Sequence, residues 1–186
     1  MRLYFALGGS RKNVSQAFLN AKRPANVLIA LPYWGGFSKC LGDFKWRGLA
    51  IDSGAFQVWN KGLKMSFEQY LTGVQKVLDS PFKPTEILAL DVIGDWKEGE
   101  KNAYRMAELG HEVVPTYHMG EPGALLKRYA KNFPKIALGG MANALEKKKR
   151  HRFVDAAFAA VWPKKIHGLG MTEMELMLKY PWHSID

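Results

Sequence analysis

A chain of 186 residues, 47% hydrophobic and 12% aromatic, holds enough apolar material to build a core as one domain over 1–186, and it is not a disordered polymer. Its 27 Lys and Arg against 17 Asp and Glu leave a net charge of +10, a balance that draws polyanions such as nucleic acid but is shared by basic proteins that bind none. Cys40 is the sole cysteine, which excludes an intrachain disulfide framework and a thiolate-rich zinc site and fits a reducing compartment.

Apolar runs of strand length alternate with amphipathic stretches of helical length, the pattern of a parallel sheet wrapped by crossover helices. Strands are predicted at 2–6, 26–31, 48–52, 86–91, 112–117, 135–138, 165–168 and 183–186. Helices are predicted at 12–21, 66–79, 97–109, 121–131, 143–160 and 172–180, with an irregular connection over 32–47. Ser66 with Gln69 and Thr172 with Glu175 read as capping boxes, and Asp95 can cap the helix that follows it. Pro81 and Pro84 close one helix, while Gly110 and Pro134 mark the exits of two others.

This order predicts an α/β fold, a (β/α)8 TIM-like barrel, compact because 186 residues is below the ~200–400 typical of such barrels. Its C-terminus is expected to be incomplete, since Asp186 comes before any eighth helix. An open doubly wound sheet is the alternative. No run approaches the ~20 apolar residues that cross a bilayer. The apolar stretch near the N-terminus is too short for a secretory signal. A soluble cytoplasmic protein with no membrane partner is therefore expected.

The predicted strands end on polar or glycine-rich residues, and a barrel gathers such ends on one face. Asp52 opens Asp-Ser-Gly-Ala-Phe-Gln (52–57), where it serves equally well as a turn former or a catalyst. Gln57 offers an amide to a planar ligand. Asp91 directly follows a strongly apolar strand, where a carboxylate needs hydrogen bonds or a polar cleft, and this favours a functional role. Gly139-Gly140 and Gly168-x-Gly170 let a ligand approach the backbone, or simply make turns.

His118 and His167, taken with Asp186, read either as a metal site or as hydrogen-bonded histidines. With neither His-x-His nor His-Glu-x-x-His spacing, no metal is expected. No Gly-x-Gly-x-x-Gly or Walker motif is present, so neither a nicotinamide nor an ATP cofactor is indicated and none of any kind is assigned. Lys147, Lys148, Lys149, Arg150 and Arg152 read as a solvated helical face or as a track for phosphates.

With those residues in view, the chain resembles the tRNA-guanine transglycosylase superfamily, and most closely its shorter phage-type members that insert 7-deazaguanine bases into DNA. The likeness rests on pieces in a shared order. They are Asp-Ser-Gly-Ala-Phe-Gln at 52–57, Leu-Asp-Val-Ile-Gly-Asp at 90–95, Pro-Thr-Tyr-His-Met-Gly-Glu-Pro at 115–122, Leu-Gly-Gly-Met-Ala at 138–142, His-Gly-Leu-Gly-Met-Thr at 167–172 and Tyr-Pro-Trp-His-Ser-Ile-Asp at 180–186. Ala55 stands where tRNA-acting relatives usually carry a second glycine, and their cysteine-rich zinc segment is lacking; both favour the phage-type branch.

The resemblance implies a pentosyltransferase that exchanges guanine in nucleic acid, DNA rather than tRNA, for a free 7-deazaguanine base by double displacement. Asp186 matches the nucleophile that captures the sugar. Asp52 matches the general acid/base, and Asp91 the reader of the base's hydrogen-bonding edge. Gln57, His118, Gly139 and Gly140 match pocket positions, with Phe56 or Met141 stacking on the base, and the lysine and arginine cluster would contact the phosphate backbone. It also implies a phage-encoded protein working in a bacterial host. Two other classes compete with this reading. One is a barrel hydrolase, either a glycosidase or an amidohydrolase; the other is a catalytically lapsed homologue that only binds nucleic acid.

Overall fold

The computed structural model describes residues 1–7, 16, 18, 24–141 and 147–186. Eight strands are present among them: β1 Arg2–Ala6, β2 Ala25–Ala30, β3 Trp46–Asp52, β4 Glu86–Ile87, β5 Thr116–His118, β6 Lys135–Gly139, β7 Lys165–Gly168 and β8 Ser184–Ile185. They form one sheet in the order β4-β3-β2-β1-β8-β7-β6-β5, with every pairing parallel. The sheet curls until its two outermost strands meet at a parallel bridge between Leu88 and Val114. Ala89 N–H donates to Val114 O at 2.9 Å, and Val114 N–H donates to Ile87 O at 2.9 Å.

Side chains alternate across a strand, so the curl sorts them into two sets. One set, including Val27, Ile29, Leu49, Ile51, Ile136, Leu138 and Ile166, packs in the main apolar cluster with residues of the helices. The other set faces inward in two small groups, Tyr4 with Leu28 and Ala50, and Leu88 with Val114 and Ala137, both touched by Leu169. Strands buried on both faces explain why the sequence shows continuous apolar runs rather than alternation.

Helices connect the strands: α1 Trp34–Phe37, α2 Ala55–Asn60, α3 Phe67–Leu78, α4 Trp96–Glu108, α5 Gly123–Asn132, α6 Lys147–Val161 and α7 Met174–Lys179. The Ser66 capping box forms as expected: Ser66 Oγ accepts from Gln69 N at 3.1 Å, and Gln69 Oε1 accepts from Ser66 N at 2.8 Å. Phe67, Tyr70, Val74 and Val77 then fall on one buried face of α3, each contributing about 1.5–3 kcal/mol of transfer free energy if fully buried. Asp95 caps α4 by accepting from Glu98 N at 3.2 Å.

Several expectations need correction. Thr172 caps nothing: α7 starts at Met174, its N-cap is Glu173 without a side-chain cap bond, and Glu175 is drawn to Lys147 instead. The strand expected at 86–91 is regular only at Glu86–Ile87, because beyond the Leu88 bridge the chain leaves the ladder towards Asp91. Helix α2 was not foreseen, since six residues opening on Ala55 bury no complete apolar face. The segments expected to be helical at 12–21 and 143–146 lie outside the described residues, apart from Gln16 and Phe18.

Candidate active site

Asp52 is the last residue of β3, paired in register with Ala30. The turn after it depends on Gly54, whose φ of +75° suits glycine and whose missing Cβ would sit 2.4 Å from Pro32 Cδ. Closing that turn lets Gly54 N–H donate to Asp52 Oδ2 at 3.1 Å. It also points Ser53 Oγ across to the neighbouring strand end, where it donates to Asp91 Oδ1 at 2.6 Å.

His118 ends β5 with Nε2 3.1 Å from Asp91 Oδ2 and Nδ1 3.3 Å from Glu121 Oε1. Glu121 also accepts from the His118 backbone N–H at 2.8 Å. Gly139 lies opposite His118 in register, and a Cβ there would stand 2.7 Å from His118 Cδ2. That glycine leaves the room the imidazole occupies beside the strand end. Asp186 follows β8; its Oδ1 accepts from Gly170 N–H at 3.2 Å and lies 3.1 Å from His167 Nε2. Both contacts use one oxygen. Among the described residues, Oδ2 of Asp186 has no hydrogen-bond partner.

The electrostatics tie these groups together. Burial pushes the Asp52 carboxyl up to about 7, helped by the negative charge of Asp91; the Gly54 N–H opposes the rise by more than the charge of Asp186 adds to it. Burial opposes charge on His118, but its hydrogen bonds to Asp91 and Glu121, with their charges, raise it to about 10. At neutral pH the site therefore holds an imidazolium clasped by two carboxylates, beside an aspartate poised between its two protonation states. Such an acid next to an ionised carboxylate divides the labour of proton transfer and charge capture.

The remaining predicted residues are placed as follows. Gln57 lies on α2, and among the described residues its buried Oε1 has no hydrogen-bond partner, leaving an acceptor for a ligand N–H. Phe56 is 40% exposed, and its ring lies 6.3 Å from that of Trp59, which is 54% exposed. Gly140 turns the chain out of β6 at φ +78°. Met141 is 1% exposed in the main apolar cluster, so packing rather than an open stacking face accounts for it.

In the basic cluster, Lys147 bonds Glu175 at 2.7 Å, and Arg150 bonds Glu173 at 3.1 Å. Lys148, Lys149 and Arg152 are exposed. His151, Glu173 and Glu175 place three possible ligand atoms within 4.8 Å of one another, but the carboxylates there already face Lys147 and Arg150. A hollow of about 880 Å³ lined by Arg2, Tyr4, Asn26, Arg47 and Thr85 opens at the other end of the strands, and none of the three aspartates lines it.

Sequence reasoning missed Ser53 as the link between the two carboxylates and Glu121 as the second partner of His118. Glu121 carried a signal, since a carboxylate three residues after a strand-end histidine can fold back on it through a turn; Ser53 carried none beyond its place beside Asp52.

No family model matches the chain, and no curated protein does. Among solved structures, it is similar to the YdjI aldolase from Escherichia coli K12, with a TM-score of 0.53 and 10% sequence identity over 99% of this chain and 73% of that one. A likeness at that identity concerns the fold alone: an α/β protein in which an all-parallel, eight-stranded curled sheet alternates with helices. No helix among the described residues is long and apolar enough to cross a membrane.

Proposed function

We propose that the sheet is a (β/α)8 barrel closed at Leu88 and Val114, and that the protein is a guanine transglycosylase of the phage type, exchanging guanine in DNA for a 7-deazaguanine base. The observation that carries this reading is the electrostatic meeting of Asp52, Asp91 and Asp186 at the C-terminal ends of the strands, with Asp52 brought to about 7.

The chemistry follows from those groups. The free Oδ2 of Asp186 attacks C1′ of the target deoxyribose as the bond from C1′ to the guanine nitrogen breaks, and the electron pair leaves with the base. Asp52 hands its proton to the departing guanine. A 7-deazaguanine then enters, gives its ring N–H proton to Asp52, and displaces the Asp186 carboxylate from C1′, restoring both groups. Positive character at C1′ is met by a carboxylate in each step, as in retaining glycosidases.

Asp91, neutralised by His118 and oriented by Ser53, is placed to accept from the N–H edge of the base, with Gln57 supplying a further acceptor. Reaching this depth requires the nucleotide to be flipped out or single-stranded, and the exposed Phe56 and Trp59 rings suit bases that have lost their stacking partners. Incubation with guanine-containing DNA and labelled 7-deazaguanine derivatives is expected to incorporate label, with tRNA as the comparison substrate. Incorporation into neither would overturn the reading.

A further inference from the structure

Behind Asp186 a chain of polar side chains runs through the inside of the barrel. His167 Nδ1 lies 2.8 Å from Ser184 Oγ, and Lys135 Nζ donates to the same oxygen at 2.7 Å. Lys135 is also paired with Glu86, whose other oxygen accepts from Tyr4 OH at 3.1 Å. His167, Ser184 and Lys135 are 1%, 0% and 6% exposed, so each of these bonds is made inside the protein rather than at its surface. Strand alternation accounts for the convergence: Lys135 and Ala137 on β6, His167 on β7 and Ser184 on β8 all take the inward parity, with Ala137 opposite His167 and His167 opposite Ser184.

The direction of the chain is fixed by one member. An ammonium only donates, so Ser184 Oγ must accept from Lys135. The one hydrogen of Ser184 then goes to its other neighbour, His167 Nδ1; no other acceptor for it lies within reach among the described residues. With Nδ1 accepting, the imidazole carries its proton on Nε2, which faces Asp186 Oδ1. Two N–H groups, from His167 and Gly170, thereby occupy Oδ1 and leave Oδ2 for the sugar.

We infer that Lys135, Ser184 and Glu86 are positioning residues that lock His167 as its Nε2–H tautomer, so that one oxygen of Asp186 is held and the other is presented for attack. The nucleophilic part of this inference rests on the proposed transglycosylase reading; the tautomer does not. An ion pair that merely filled the barrel would leave Nδ1 of His167 without a donor, with the Asp186 carboxylate alone holding the proton on Nε2.

The test is the long-range ¹⁵N–¹H spectrum of ¹⁵N-histidine-labelled full-length protein, with the His167 signals assigned by their loss in His167→Gln. The wild type is expected to show an unprotonated Nδ1 and a protonated Nε2. Ser184→Ala, which keeps the Lys135–Glu86 pair, removes the donor to Nδ1 and is expected to shift the Nδ1 signal away from its wild-type position and to slow formation of the Asp186–DNA adduct roughly ten- to a hundredfold, the size of effect seen when the outer partner of a metal-bound histidine is removed. Lys135→Met provides a second variant with the same expected spectrum. A wild-type Nδ1–H tautomer, or a Ser184→Ala spectrum identical to wild type, would overturn the inference; so would a shifted Nδ1 signal with an unchanged adduct rate. Wild-type protein that forms no adduct overturns the transglycosylase reading alone, and the spectrum still decides the chain.

Discussion

The two ends of the space inside the curled sheet treat buried carboxylates in opposite ways. At the lower end Glu86 is buried against Lys135; burial works to raise its pKa, but the charge and hydrogen bond of the ammonium hold it below the ordinary carboxylate range. At the upper end His118 is held between Asp91 and Glu121, while Asp52, buried with the like charges of Asp91 and Asp186 acting on it, rises to about 7. Burial is common to both. The difference lies in the nearest charge: Glu86 has an ammonium against it, whereas Asp52 feels the like charges of Asp91 and Asp186, so equal burial leaves the one ionised and lifts the other.

The sharpest way to break that comparison is Asp186→Asn, which is expected to cut base exchange by more than about 10⁴-fold, as loss of a nucleophile does elsewhere, while the protein melts no earlier. Labelled-base incorporation and thermal unfolding measured together check both halves.

Asp52→Asn is expected to lower exchange by about 10²–10⁴-fold. In the wild type, guanine release in a single turnover should decline as pH rises through about 7, because Asp52 must start protonated, and this limb should vanish in the variant. The stability effect has the same sign but begins at lower pH. The folded state holds the Asp52 proton more tightly than the unfolded chain does, so wild-type stability falls as pH rises from about 4 to about 7, by at most about 4 kcal/mol; Asp52→Asn should flatten that slope in melting curves.

At the lower end the signs reverse. Lys135→Met leaves Glu86 buried and unpaired and is expected to destabilise by about 3–5 kcal/mol in denaturant titrations, much of it recovered by adding Glu86→Gln. The smallest expected effect is at the rim, where Trp59→Ala should weaken single-stranded DNA binding by about 1–3 kcal/mol and leave the melting temperature unchanged, as befits a ring that is 54% exposed.

Much of the frame was legible in the residues. The strands at 2–6 and 165–168 appear with the bounds their apolar runs predict, and Ser66 and Asp95 cap as their spacing says, because these features are local. The placing of Asp52, Asp91 and Asp186 at neighbouring or facing strand ends was legible too, since each directly follows an apolar run.

What stayed hidden depended on parity and on distance. Lys135 opens a buried strand and reads as a boundary cation until the register shows it facing inward towards Ser184. Met141, glycine-flanked and beside the site in sequence, turns away into the apolar layer because Gly140 at φ +78° reverses the chain first. The cluster at 147–152 looked like one continuous positive stripe, yet Glu173 and Glu175, more than twenty positions later, claim Lys147 and Arg150.

The pairing of β8 with β1, Arg2 beside Ser184 and Leu3 beside Ile185, sets a timetable as well as a shape. A nascent chain emerges with that edge of β1 bare, and Asp186 gains its seat only when β8 zips onto it. Until that moment Asp52 and Asp91 lack their third carboxylate, so the cluster is completed by a contact between residues more than 180 positions apart, a slow kind of pairing to form.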